Sequence, residues 1–340
     1  NKLTELPDGP RSLIMGCAVS KGSAELEVAE KELTKLALRP ELRKIHAGDN
    51  KLTELPASIG ECQQLVLLDV SGNQLTTLPE EIGKCHALEE ILCFKNQIKE
   101  LPASLNGANL PALKILNLFN NKLRKVPDEL GTLASVEEVN IAGNKLMALS
   151  DAAFAKWKAV RILNLYDNNL VRIGSLEPLT ALMEIRLYGN NLEDAPAISR
   201  MADLEVFEMH KNRVAAIPDD YFTKTPNLKR LVLSNNLLKT LPSSILSCSS
   251  LKQLQVQDNK MTSIPSGAWP TSLETVFLQG NQELTELPAE LAQCTNLSRV
   301  NVSKLALSES SLTVAAQLQK ICCTKQGGVF WDPNGRQLNA

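Results

Sequence analysis

Aromatic residues are scarce, at 4% of a 340-residue chain, so the interior must be filled by aliphatic side chains rather than by rings. Histidine is scarcer still. His46, His86 and His210 lie far apart, and none has a carboxylate or cysteine at a spacing that makes a nucleophile–base pair. No glycine-rich phosphate loop, zinc signature or kinase motif set occurs. The chain is therefore expected to be no enzyme, with no cofactor and no metal. Excess positive charge is missing as well: a formal net charge of −2 offers no overall surplus to nucleic acid or to an anionic membrane. No apolar run approaches the roughly 20 residues that a bilayer crossing needs, and nothing at the start of the sequence reads as a secretory signal.

What is present is one pattern, repeated. Leu65–Pro79 reads L-x-x-L-x-V-x-x-N-x-L-x-x-L-P. Alternation across Leu68 and Val70 gives a short strand with one buried face, Asn73 sits where the chain must turn, and Leu-Pro prevents a long helix from following. The asparagine recurs at Asn50, Asn73, Asn96, Asn121, Asn144, Asn168, Asn190, Asn212, Asn236, Asn259 and Asn281, 22 to 25 residues apart. A degenerate twelfth unit, with Leu297, Val300 and Val302, carries Leu305 in the asparagine's place. One unit cannot bury its leucines alone, so the copies must stack. The fold expected is an α/β solenoid, a leucine-rich repeat horseshoe with a parallel concave sheet of about 12 strands. Cys62, Cys85, Cys248 and Cys294 each precede a repeat's first apolar residue by three, where other copies have Leu110, Leu133, Trp157, Leu179 and Met201. Cysteine at such a position acts as a small hydrophobe. Metal binding would need paired ligands, and no C-x-x-C occurs. Without cysteine-rich flanking caps, a reduced, cytoplasmic setting is expected.

Three segments follow. Residues 1–41 form an N-terminal extension: Asn1–Pro7 duplicates Asn50–Pro56, and a capping helix is expected from Ser23 to Pro40, with Leu26, Ala29, Leu33 and Leu36 on one face. Within this extension Met15-Gly16-Cys17-Ala18-Val19-Ser20 matches the myristoylation pattern, with a palmitoylatable cysteine beside the glycine. Were Gly16 an acylated N-terminus, the protein would be tethered to a membrane through Gly16 and Cys17; the other reading packs this apolar stretch into the cap. Residues 42–305 carry the repeats. Residues 306–340 read as a C-terminal cap, a helix with Leu312, Ala315, Ala316 and Ile321 inward, then a hairpin about Asp332–Gly335 with Trp331 adding buried area. The 24-residue units that contain Phe154 and Phe222 should have fuller return helices.

Counting from each repeat's first apolar residue, positions three, five and seven face the hollow. Position seven holds Phe94, Phe119, Ala142, Tyr166, Tyr188 and His210 in successive repeats; position five holds Asn117, Asn140, Asn164, Arg186 and Glu208. Exposed rings on one row, beside amides ready to bond a backbone, read as a docking surface. Phe277 stands as an isolated aromatic.

The unit Leu65–Gly83, ending Leu-Pro-x-x-Ile-Gly, resembles the intracellular Ras-group-related leucine-rich repeat proteins, a family of animal Ras–Raf scaffolds and their plant relatives. The 22-residue units at Asn168 and Asn190 are similar to the protein phosphatase 1 regulatory type. The resemblance implies a non-enzymatic scaffold for a signalling protein such as a small GTPase, phosphatase or kinase; the chain on its own is expected to be monomeric. It carries over no contact residue, because the motif specifies core positions. The alternative is a constitutive structural subunit of a large cytoskeletal or ciliary assembly.

Overall fold

A three-residue strand with one inward side chain buries too little to stand alone, and here every such strand is paired on both sides except at the ends of the sheet. The computed structural model describes residues 24–339. Within them fifteen strands form one sheet, parallel from Glu25–Glu27 to Val329–Trp331 and closed by the antiparallel strand Gln337–Asn339. Register never slips: Ile45, Leu68, Ile91 and Leu116 pair in sequence, and all four are 0% exposed. A one-residue shift would expose that entire column, which is what fixes the alignment.

The chain leaves each strand through a left-handed residue. Thirteen repeats, from Glu30 and Asp49 to Lys304, place one residue at φ between 51° and 78°. It is the residue before the asparagine, not the asparagine itself, that adopts this unusual dihedral. Nine of these thirteen are not glycine, at a cost of about 1–2 kcal/mol each. The asparagine stabilises the turn from within. Asn73 Nδ2 donates to Val70 O at 3.0 Å and to Ala47 O of the preceding repeat at 2.9 Å, while its Oδ1 accepts from Leu52 N at 2.9 Å. The same bonds recur down the stack, and the asparagines stay buried.

Return segments are short 3-10 helices such as Ala57–Glu61, Glu80–Lys84 and Asp128–Thr132, each entered through a proline whose carbonyl accepts the first bond, as in Ile59 N to Pro56 O at 3.0 Å. Glycine lets them approach: a Cβ on Gly131 would lie 1.9 Å from the Ala152 carbonyl oxygen. The fuller helices expected at Phe154 and Phe222 are absent. Asp151–Phe154 is one 3-10 turn, and Phe222 lies among turns. The extra residue of these units instead makes room for fully buried rings, Phe154 edge-on to Trp157 at 5.5 Å and Phe222 edge-on to Phe207 at 6.2 Å. Beside them Ala148–Leu149 and Arg172–Ile173 form a second, two-stranded parallel sheet.

The ends differ from expectation in opposite ways. Among the described residues no helix covers the N-terminal edge; Glu25–Glu27 is a further repeat strand, with Leu26, Val28, Leu33 and Leu36 buried and Ala29 exposed. Lys31 occupies the asparagine position, which hid the repeat. The spacing of Leu26, Leu33 and Leu36 fits a helical face as well as it fits this unit. Gly16 and Cys17 of the acylation motif lie outside the described residues. At the C-terminal end the helix Glu309–Cys323 begins at Ser308, whose Oγ accepts from Ser311 N at 3.3 Å. Its inward face is Ser311, Val314, Ala315, Leu318 and Cys322; Leu312 is 48% exposed and Ala316 faces out, about a third of a turn from the face expected. In the hairpin the fully buried ring is Phe330, while Trp331 is half-buried against Phe277, their centroids 6.0 Å apart. Phe277 is therefore not isolated.

Candidate functional site

In-register parallel strands lie about 4.8 Å apart, so rings at one position on consecutive repeats have little choice but to stack. Tyr166 and Tyr188 do so at 4.5 Å with planes 10° apart, and Tyr188 and His210 at 4.4 Å and 13°. Ala142 interrupts the column, and Phe119 leans across it to Tyr166 at 6.0 Å, tilted by 46°. Phe94 holds the same register but is not part of this column among the described residues. All five side chains are partly buried, neither sealed in the core nor free of it. Stacking changes what the surface offers: the inner ring faces are spent on neighbours, so edges and phenol hydroxyls are what remain for a partner.

The position-five groups form a polar chain beside the rings. Glu208, 8% exposed, receives Arg230 Nε at 2.6 Å and Arg186 Nε at 3.6 Å. Arg186 also holds Glu184 at 2.8 Å and donates to Asn164 Oδ1 at 3.2 Å, and Arg230 reaches Gln253 Oε1. Two guanidinium groups and two carboxylates thus neutralise one another, and burial of Glu208 is met by two cationic partners, as such burial requires. The arrangement runs from Asn164 to Gln253 without a gap.

The asparagine row is only partly available. Asn117 Oδ1 accepts from Phe119 N, and Asn140 Oδ1 from Ala142 N, both at 3.1 Å. Their carbonyls fasten the backbone beneath the ring column, and the Nδ2 groups are the donors left over. This internal use is a side-chain turn of the kind Asn and Asp commonly make, and Asp69 and Asn301 do the same for Ser71 and Ser303.

Burial sets the protonation of the column. Tyr188 is pushed up to about 12, chiefly by desolvation, with Tyr166, Asp167 and Glu208 adding and Arg186 opposing. Tyr166 is raised for the same leading reason. Both phenols stay neutral and able to donate. His210 is held below the ordinary imidazole value by burial, with Lys211 and Arg230 adding and Glu208 and Asp167 opposing; its Nδ1 is buried without a hydrogen-bond partner. No group of His, Cys, Asp and Glu suited to a metal ion occurs among the described residues.

The structure brings Asn164, Tyr166, Arg186, Tyr188, Glu208 and His210 together, with Phe119 and Asn140 at one margin and Phe94 beyond it. Sequence reasoning left Glu184, Arg230 and Gln253 out of the expected site, although all three stand at position three of their repeats and so face the hollow. Arg230 was within reach of the pattern: unslipped parallel pairing sets Val206 opposite Arg230, and Glu208 two residues on is then its diagonal neighbour.

Comparison with known proteins agrees with this architecture. Family models described as leucine rich repeat match residues 134–192 and 202–261, and 64–85 and 112–133. Podocan-like protein 1 of Mus musculus is 34% identical over 156 residues, covering 44% of this chain and 27% of that protein. The chain spans about two-fifths or less of the length of the curated relatives it matches. Among solved structures, the leucine-rich repeat domain of APL1B superposes with a TM-score of 0.70 at 20% identity, covering 86% of each chain. The Leptospira interrogans LRR protein LIC12759 gives 0.63 at 22% identity, covering 87% of this chain and 94% of that one.

Proposed function

Starting from a leucine-rich repeat protein whose concave wall carries a stacked ring column, we propose a non-enzymatic scaffold that docks a protein partner on that wall, around Tyr166, Arg186, Tyr188, Glu208 and His210. The observation that carries this reading is the Tyr166–Tyr188–His210 stack, half-buried and bordered by paired charges. Tyrosine and arginine dominate protein interfaces because each offers a large rigid apolar area together with a directional donor. Pre-stacked rings have already lost the rotamer freedom that binding would otherwise cost. The charges beside them are mutually satisfied, so selection rests on shape and hydrogen-bond direction rather than on bulk charge. Concave faces are what repeat solenoids use for binding.

The partner on this reading is an intracellular signalling protein of the small GTPase, phosphatase or kinase class. Two features support it: the resemblance of the Leu65–Gly83 unit, and the free, fully buried thiols of Cys62, Cys85, Cys248 and Cys294, which suit a reducing setting. Photo-crosslinking tests the site. A benzophenone side chain replacing Tyr188 should yield a discrete adduct with one partner, weakened by Arg186→Ala. The same probe at Lys156, exposed on the return side, should not. The same adducts from both positions, or none from Tyr188 in a folded protein, would refute the assignment.

A further inference from the structure

The lateral edge of the solenoid carries a second surface, independent of the ring column. After each asparagine the chain runs x-L-x, and the middle residue is buried: Ile98, Leu123, Leu146 and Leu170 are all 0% exposed. The flanking residues therefore project outward along one edge. In three successive repeats at least one of the two is cationic, and an open cavity of about 600 Å³ there is lined by Lys99, Glu100, Lys122, Arg124, Lys125 and Lys145. Five cations face one carboxylate in a chain whose formal net charge is −2.

Several lysines elsewhere are in ion pairs, among them Lys44–Glu25 at 2.7 Å, Lys114–Glu89 at 2.6 Å, Lys229–Glu205 at 2.7 Å and Lys252–Glu274 at 3.0 Å. Among the described residues none of the five edge cations is in an ion pair; Lys122 Nζ donates only to Gln97 Oε1, at 2.9 Å. The same row continues into Met147 and Val171, 65% and 47% exposed, joined by Val171 N to Met147 O at 3.0 Å. Asp128 and Asp151 line the adjoining cavity on the return side and bound the patch there.

We propose that this edge docks on an anionic phospholipid surface, with the lysines and Arg124 over the headgroups and Met147 and Val171 in the interfacial layer. Flexible ammonium groups on an open shelf suit an array of headgroup charges. A single phosphate on a peptide would call for converging, partly buried donors such as a bidentate arginine. Exposed apolar side chains next to the cations supply the short-range component that charge alone lacks.

The test is co-sedimentation of the unacylated full chain with vesicles of phosphatidylcholine alone, or with roughly one part in four phosphatidylserine. Binding should require phosphatidylserine and weaken at high salt, and the triple change Lys122→Glu, Arg124→Glu, Lys145→Glu should lower it by more than about tenfold. Unchanged thermal unfolding of that variant separates lost docking from lost folding. Independently, Met147→Trp should show a blue shift in its difference emission with phosphatidylserine vesicles only. Equal binding to both vesicle types, binding to neither, or capture of a phosphorylated peptide without any vesicle binding would overturn the proposal.

Discussion

Replacing one ladder asparagine in the middle of the stack should be costly at a residue that can be named in advance. Asn121, 6% exposed, accepts from Ile98 N at 2.9 Å and donates to Cys93 O at 2.9 Å and Leu118 O at 3.0 Å. In Asn121→Ala the two carbonyls keep other donors, Cys93 O from Asn96 Nδ2 at 3.1 Å and Leu118 O from Asn144 Nδ2 at 3.0 Å. The Ile98 amide keeps none. An orphaned buried donor costs about 1–3 kcal/mol, and two weakened acceptors plus a small void bring the total to about 2–4 kcal/mol. Urea unfolding measures the total; native-state hydrogen exchange locates it, with Ile98 expected to lose protection before amides several repeats away. A loss under about 1 kcal/mol, or unchanged protection at Ile98, would show that water or backbone relaxation replaces the bond and that the ladder is not what holds the turns.

Gly131→Ala should destabilise by about 1–3 kcal/mol, because its methyl would meet backbone that cannot yield, and thermal unfolding would show it. The control is Gly327→Ala, at φ +70° with nothing within 4 Å of a Cβ, where only the left-handed cost of about 1 kcal/mol applies. For His210 the sign follows from burial: its folded value lies below the ordinary 6.5, so the unfolded chain takes up the proton first as the pH falls. Stability should therefore drop as the pH falls from about 6.5 towards the lower folded value, and His210→Phe, which keeps a ring in the stack, should flatten the dependence. An unchanged pH profile would mean that the imidazole is solvated in the same way in both states.

Strand register and core were legible because the asparagine and its leucines recur at fixed offsets, and each offset has one structural meaning. The N-terminal unit was not legible, since Lys31 removes the landmark and the Leu26, Leu33 and Leu36 spacing fits two periods equally well. The ring row was legible as a position; that its faces would be consumed by stacking depends on strand pitch and on Ala142, which no single repeat displays. Asn117 and Asn140 were read as donors to a partner, yet their carbonyls bond the backbone two residues on, a local competition that composition does not reveal. The cationic edge escaped notice for a different reason. Net charge averages over the chain, and five cations from three repeats converge only after folding.

Because the stack is built one ring per repeat, its integrity depends on unit count as well as on side-chain identity. Placing a copy of the Ala142 unit between Tyr166 and Tyr188 would set those rings two strand pitches apart and replace their 4.5 Å stack by at most a tilted contact like that of Phe119 with Tyr166 at 6.0 Å, without changing either residue. The same duplication beyond Asn281 would leave the column untouched. A copied unit thus breaks the column or spares it according to where it lands and what it carries at position seven.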